Sequence, residues 1–163
     1  MLEDAMRSVI TALVAGFVLP AALANEINVA FDPDTAEEWT ETYGEREVDY
    51  LSERVSNDLH EALAASGLSV AHVDVTIVDA RPNRPTFKQV SDRPGLDQFR
   101  SYSVGGMALR AAAFDADGTP LADYAYKWFS HDIRFASHRP TWSDANRASD
   151  IFARRFIAEL TDE

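Results

Sequence analysis

Between Asp79 and Gly106 the chain reads DARPNRPTFKQVSDRPGLDQFRSYSVGG, and its cationic side chains are the residues best placed to do chemistry. Arg81, Arg84, Lys88, Arg93 and Arg100 stand against only Asp92 and Asp97 once the segment has left Asp79. With Asn83 they form the candidate binding set, and its chemistry is anion recognition, because guanidinium forks match carboxylates and phosphates. One hydrogen bond to a charged group contributes about 1.5 to 3 kcal/mol net. Even millimolar affinity needs about 4 kcal/mol, so two or three of Arg81, Arg84, Arg93 and Arg100 would have to converge. The other arrangement open to them is pairing with Asp79, Asp92 or Asp97, where an exposed pair contributes about 0 to 1 kcal/mol.

A second chemistry is nucleophilic. Ser103, followed by Gly105-Gly106, resembles a nucleophile with an oxyanion glycine pair, and His131 or His138 would be its base. The context argues against it, since a nucleophile elbow turns from a strand into a helix and no helix pattern follows Ser103. Gly105-Gly106 matches no phosphate-binding glycine pattern either. Metal chemistry has few ligands to use: cysteine is absent, and His60, His72, His131 and His138 are scattered. His131 and Asp132, adjacent on an extended segment, would point to opposite faces. No metal or cofactor is expected, and the chain is read as a non-enzyme, with the Ser103 hydrolase as the alternative.

The elements that must position these residues are legible from periodicity. Ile27, Val29 and Phe31 alternate as a first strand that ends at Asp32-Pro33-Asp34. Ala36 to Gly44 fits a helical turn or an extended segment and is read as a connection with its aromatics tucked in. Val48, Leu51, Val55, Leu59, Ala62 and Leu63 make the apolar stripe of a helix closed by Gly67, with Glu47, Arg54, Asp58 and Glu61 opposite. Leu68 to Ala80 is a strand whose phase changes, which predicts a bulge or a late start near Ala71 and His72. The loop follows, with Phe87, Leu96, Phe99 and Tyr102 as its packing anchors, and pairing resumes near Tyr102. Met107 to Phe114 and Leu121 to Arg134 read as a hairpin around Asp115-Ala116-Asp117-Gly118-Thr119-Pro120. Tyr124, Tyr126 and Trp128 share a core-facing side. Thr141 and Asp144 resemble a capping box before a last helix buried along Trp142, Ala145, Ala148, Phe152, Phe156 and Leu160, with Arg147, Arg154 and Arg155 in water. The expected fold is α+β in the order β-α-β-β-β-α, two helices lying on one face of a mostly antiparallel four-stranded sheet.

The first 24 residues read as a secretory signal peptide. Val9 to Leu19 is an apolar run too short to span a bilayer, and Pro20 and Ala22-Leu23-Ala24 place cleavage before Asn25. Glu3 and Asp4 sit where positive charge is expected, and a start at Met6 would remove both. Residues 25–163 are then one periplasmic domain. With no cysteine among 163 residues, the product has neither a disulfide nor the residue that carries a lipoprotein anchor. A chain of this length buries roughly two-thirds of its unfolded surface, so packing alone can hold it. The formal net charge of -12 argues against nucleic acid and against electrostatic docking to anionic lipid.

The element order, the export context and the Asp-x-Asp-Gly hairpin leading into an aromatic-rich strand resemble the small envelope α/β proteins of Gram-negative bacteria. These include YajG-type lipoproteins and, more distantly, the periplasmic domain of the curli secretion lipoprotein CsgG. The resemblance implies an accessory or assembly role rather than an enzyme. The expected activity is that of a soluble periplasmic binding module, touching an envelope protein or an anionic component through residues 81–100.

Overall fold

A computed structural model describes residues 25–162, and the signal-peptide reading falls outside them. The chain is an α+β fold. Its elements are β1 (Glu26–Phe31), α1 (Ala36–Tyr43), α2 (Glu45–Ser66), β2 (His72–Arg81), α3 (Phe87–Asp92), β3 (Gly106–Phe114), β4 (Pro120–Phe129), a 3-10 turn (Ile133–His138) and α4 (Ser143–Asp162). The sheet runs β1-β2-β3-β4. β1 and β2 are parallel because the chain crosses over through α1 and α2 between them, and the other two pairs are antiparallel. Helices α2 and α4 pack together on one face, α2 over β1 and α4 over β3 and β4.

Alternation selects that face. Val73, Val75 and Ile77 of β2 sit beside Ala113, Ala111 and Leu109 of β3, all buried with Leu51, Val55, Leu59 and Leu63 of α2 and Ala145, Ala148, Phe152 and Phe156 of α4. β2 starts late, at His72, as its phase predicts. A further irregularity skips Val78, so that Ile77 pairs with Leu109 and Asp79 with Ala108, and the buried residue after Ile77 becomes Ala80. Gly67 ends α2 at φ 70°, a left-handed conformation in which a glycine carries no steric penalty.

Several expectations are corrected. Ala36–Tyr43 is a helix: burial of Trp39, whose Nε1 donates to Thr35 Oγ1 at 3.2 Å, outweighs the extended preference of Thr40 and Thr42. The return strand ends at Phe129, not Arg134: Ser130 N–H still donates to Gly105 O at 2.9 Å, and the chain then leaves the sheet for the 3-10 turn at Ile133–His138. Pairing resumes at Gly106 rather than Tyr102. Glu47 and Asp58 do not face water alone: Glu47 accepts from Trp142 Nε1 at 2.6 Å and Asp58 from Ser149 Oγ at 2.6 Å, so both join α2 to α4. Tyr124 stacks on Phe152, and Arg155 and Arg147, exposed as expected, lie 5.1 and 5.2 Å over Tyr126 and Trp128 of the edge strand.

Candidate functional site

The segment between β2 and β3 is held by polar groups. Asn83 is fully buried, and every part of it is used. Its N–H donates to Thr141 O (2.6 Å), its carbonyl accepts from Ser103 N–H (2.8 Å), and its Nδ2 donates to Ser103 O (3.2 Å) and Asp144 Oδ2 (2.6 Å). Its Oδ1 accepts from Asp144 N–H (2.8 Å). Asp144 Oδ2 also takes Gly105 N–H at 3.1 Å, while Oδ1, which has no aligned hydrogen-bond donor, forms an ion pair with the Arg139 guanidinium. The Asp144 carboxylate therefore fastens the loop to the start of α4 rather than completing a capping box with Thr141. A Cβ on Gly105 would lie 2.7 Å from Arg81 O and 2.9 Å from Asn83 Oδ1, so this junction needs glycine.

Arg84 makes the second fastening. Its Nε donates to Arg139 O (2.7 Å), its Nη1 to Gln98 O (3.1 Å) and Phe99 O (2.7 Å), and its Nη2 to Ser137 O. One guanidinium thus ties the loop to itself and to the 3-10 turn. A capping box absent from the sequence reading lies at Thr86 and Gln89, each side chain bonding the other's backbone N–H, and it starts the short helix α3 inside what reads as loop. The expected anchors Phe87, Phe99 and Tyr102 are instead exposed. The anchoring is done by the polar junctions at Asn83, Arg84 and Asp144.

Beneath the loop lies a cleft of about 390 Å³, walled by Arg81, Arg84 and Arg93 with Tyr43, Leu96 and Tyr102. Three of the candidate arginines are therefore brought to one place. Arg81 is exposed, with Nη2 3.3 Å from Asp79 Oδ2 and its guanidinium 4.8 Å over the Phe129 ring. Arg93 is exposed and has no ion pair among the described residues. Arg84 shares the wall, but its donors point at carbonyls. Lys88 lies outside the cleft, paired with Asp92 at 2.5 Å along α3. Arg100 is also outside; its backbone N–H and that of Phe99 cap Asp97 Oδ1, and those two bonds hold the Asp97 carboxyl below its ordinary range.

Tyr43, which sequence reading treated as a tucked aromatic, is the phenol of this wall. Its pKa is raised, first by burial and then by the Asp79 charge, while Arg81 and Arg93 act in the opposite sense. It is a neutral hydrogen-bond donor at physiological pH, facing two cations. The only sequence signal for it was the four-residue spacing from Trp39.

The nucleophilic arrangement is not assembled. Ser103 Oγ donates to Pro82 O at 2.7 Å, Gly105 N–H is taken by Asp144, His138 Nδ1 lies 3.0 Å from Ser137 Oγ, and His131 is exposed. Among the described residues, no three histidines or carboxylates group as metal ligands, and no helix is long and apolar enough to cross a membrane.

No protein-family model matches the chain, and no curated protein matches it. The resemblance to YajG-type proteins therefore gains no support from a family match. Among solved structures, the crystal structure of a "putative lipoprotein" from Caulobacter crescentus CB15 is similar at 16% identity, with a TM-score of 0.38, over 83% of this chain and 88% of that one. A likeness at that level assigns neither fold nor activity.

Proposed function

We propose that the chain is an exported, soluble, non-catalytic binding module of the bacterial envelope. Its cleft between Tyr43, Arg81, Arg93 and Tyr102 takes a carboxylate or phosphate of an envelope protein or other anionic component. The observation that carries this reading is that Arg81 and Arg93 line the same cleft of an otherwise acidic protein, together with the Tyr43 phenol and the apolar side chain of Leu96. Two charge-assisted bonds contribute roughly 3 to 6 kcal/mol. That places the affinity for a single anionic group between about 6 mM and 40 μM. A partner with an apolar group next to its charge would use the remaining walls.

The test is a pull-down from envelope extracts with the chain beginning at Asn25, comparing wild type with Arg81→Ala/Arg93→Ala. Loss of specific bands in the variant supports the cleft. An unchanged profile removes it.

A further inference from the structure

The end of the molecule that carries the loop also carries its exposed apolar side chains. Phe99 is 82% exposed, Phe135 61%, Phe87 60%, Ile133 53% and Tyr102 45%. They stand on two excursions, residues 86–104 and 133–138, and the Arg84 guanidinium holds these together by binding Gln98 O and Phe99 O on one and Ser137 O and Arg139 O on the other. We infer that this aromatic and cationic end docks on an anionic phospholipid surface, Phe99 and Phe135 entering the interface and Arg100, which has no ion pair among the described residues, meeting a headgroup phosphate.

The shape favours a bilayer over a protein partner. Phe99 and Phe135, the two most exposed rings, stand singly on separate excursions, whereas a specific protein interface needs about 800 Å² of complementary surface on each side. A fluid interface accepts ring tips in any arrangement, and aromatic rings beside arginine suit its polar boundary. The backbone under Phe99 is already satisfied, its N–H by Asp97 Oδ1 at 2.8 Å and its carbonyl by Arg84, so the ring can leave water without dragging an unpaired peptide group with it. Cations outnumber carboxylates on both excursions: Lys88, Arg93 and Arg100 against Asp92 and Asp97 in residues 86–104, and in residues 133–138 Arg134, which pairs with the preceding Asp132. The net charge that argues against lipid is a sum over the whole chain. At physiological ionic strength charges beyond about 8 Å are screened, and the local surplus governs.

Flotation of the chain beginning at Asn25, which holds every described element, tests this on vesicles of phosphatidylethanolamine with phosphatidylglycerol and on vesicles of phosphatidylcholine alone. The chain is expected to float with the first and far less with the second, and high salt should release it. Phe99→Ser/Phe135→Ser is expected to lower partitioning by about tenfold or more, since both rings would lose apolar burial. Arg100→Glu alters charge alone and should lower it by roughly tenfold. Failure to float with anionic vesicles overturns the inference, as does equal flotation of the double serine variant. Capture of an envelope protein through Phe99 and Phe135 without vesicle binding also overturns it, in favour of a protein partner. The serine variant keeps Tyr43, Arg81 and Arg93, so vesicle docking and anion binding in the cleft succeed or fail separately.

Discussion

Asn83 and Asp144 hold each other by two hydrogen bonds, Asn83 Nδ2 to Asp144 Oδ2 at 2.6 Å and Asp144 N–H to Asn83 Oδ1 at 2.8 Å, with both side chains buried. Through this pair the end of β2, the start of β3 and the first turn of α4 meet at one point. A buried carboxylate and a buried amide are costly when unpaired and stabilising when fully satisfied, so the pair sets the position of everything between them.

Removing either partner should therefore destabilise the fold. Asp144→Ala leaves Gly105 N–H and the Asn83 amide without an acceptor and is expected to cost about 2 to 4 kcal/mol. Asn83→Ala should cost about 2 to 3 kcal/mol. In urea denaturation the double variant should lose less than the two singles together, with a coupling of roughly 1 to 3 kcal/mol. Strict additivity would mean that the two residues act independently.

Arg84→Lys should fail to replace the native side chain despite keeping its charge. A lysine has three donors on one nitrogen and cannot reach four carbonyls arranged around a planar fork. A loss of about 2 kcal/mol is expected, with faster hydrogen exchange at Phe99 to Ser103 and unchanged protection in α2. Slowed or unaltered exchange in that segment would count against the fastening.

Gly106→Ala should be among the most damaging single substitutions. A Cβ there would lie 2.3 Å from Trp128 O and 2.5 Å from Phe129 Cα, both backbone atoms of the neighbouring strand. The pairing of Gly106 with Phe129 would have to open, at a cost of several kcal/mol in order of magnitude. Gly118→Ala, with nothing within 4 Å, is the control and is limited to the strain of its φ of 81°. Comparable melting temperatures for the two variants would contradict the steric account.

Asp58 gives a pH signature. Burial raises its carboxyl above the ordinary range, opposed by the hydrogen bond from Ser149 and by the charge and hydrogen bond of Arg54. The folded state then holds this proton more tightly than the unfolded chain. The group's stabilising contribution is fully present below the unfolded carboxylate pKa and is lost as pH rises through the raised folded value. Asp58→Asn cannot ionise, so its stability relative to wild type should increase between about pH 3 and pH 7. Ser149→Ala removes an opposing bond and should move the wild-type loss to higher pH. A difference between Asp58→Asn and wild type that stays constant across that range would rule this origin out.

How far the sequence disclosed this arrangement depends on the range of the interaction. Helices α2 and α4 and the β3–β4 hairpin were legible because their apolar residues repeat locally: Leu51, Val55 and Leu59 in one, Phe152 and Phe156 in the other, and Gly118 at the turn. The ends of elements were less so. Phe129 ends β4 opposite Gly106, where its partner begins, and that register is a fact about another strand. The site was legible as a cationic segment but not as a cleft, because Asn83 and Asp144 are 61 positions apart and Asp144 reads locally as the acid of a capping box. Phe87, Phe99 and Tyr102 misled in the opposite direction: apolar side chains suggest anchors, yet the anchoring was done by an amide, a carboxylate and a guanidinium.

The central claim is that Arg81 and Arg93 form one anion-binding wall. Following the arginine Nε–H resonances of the chain beginning at Asn25 during titration with the acetylated tripeptide Asp-Phe-Glu tests it most directly. Arg81 and Arg93 should shift together along one binding curve, with a dissociation constant between about 6 mM and tens of micromolar, while Arg84 stays in place. A titration that leaves Arg81 and Arg93 unmoved, or that moves Arg100 in their stead, would contradict it.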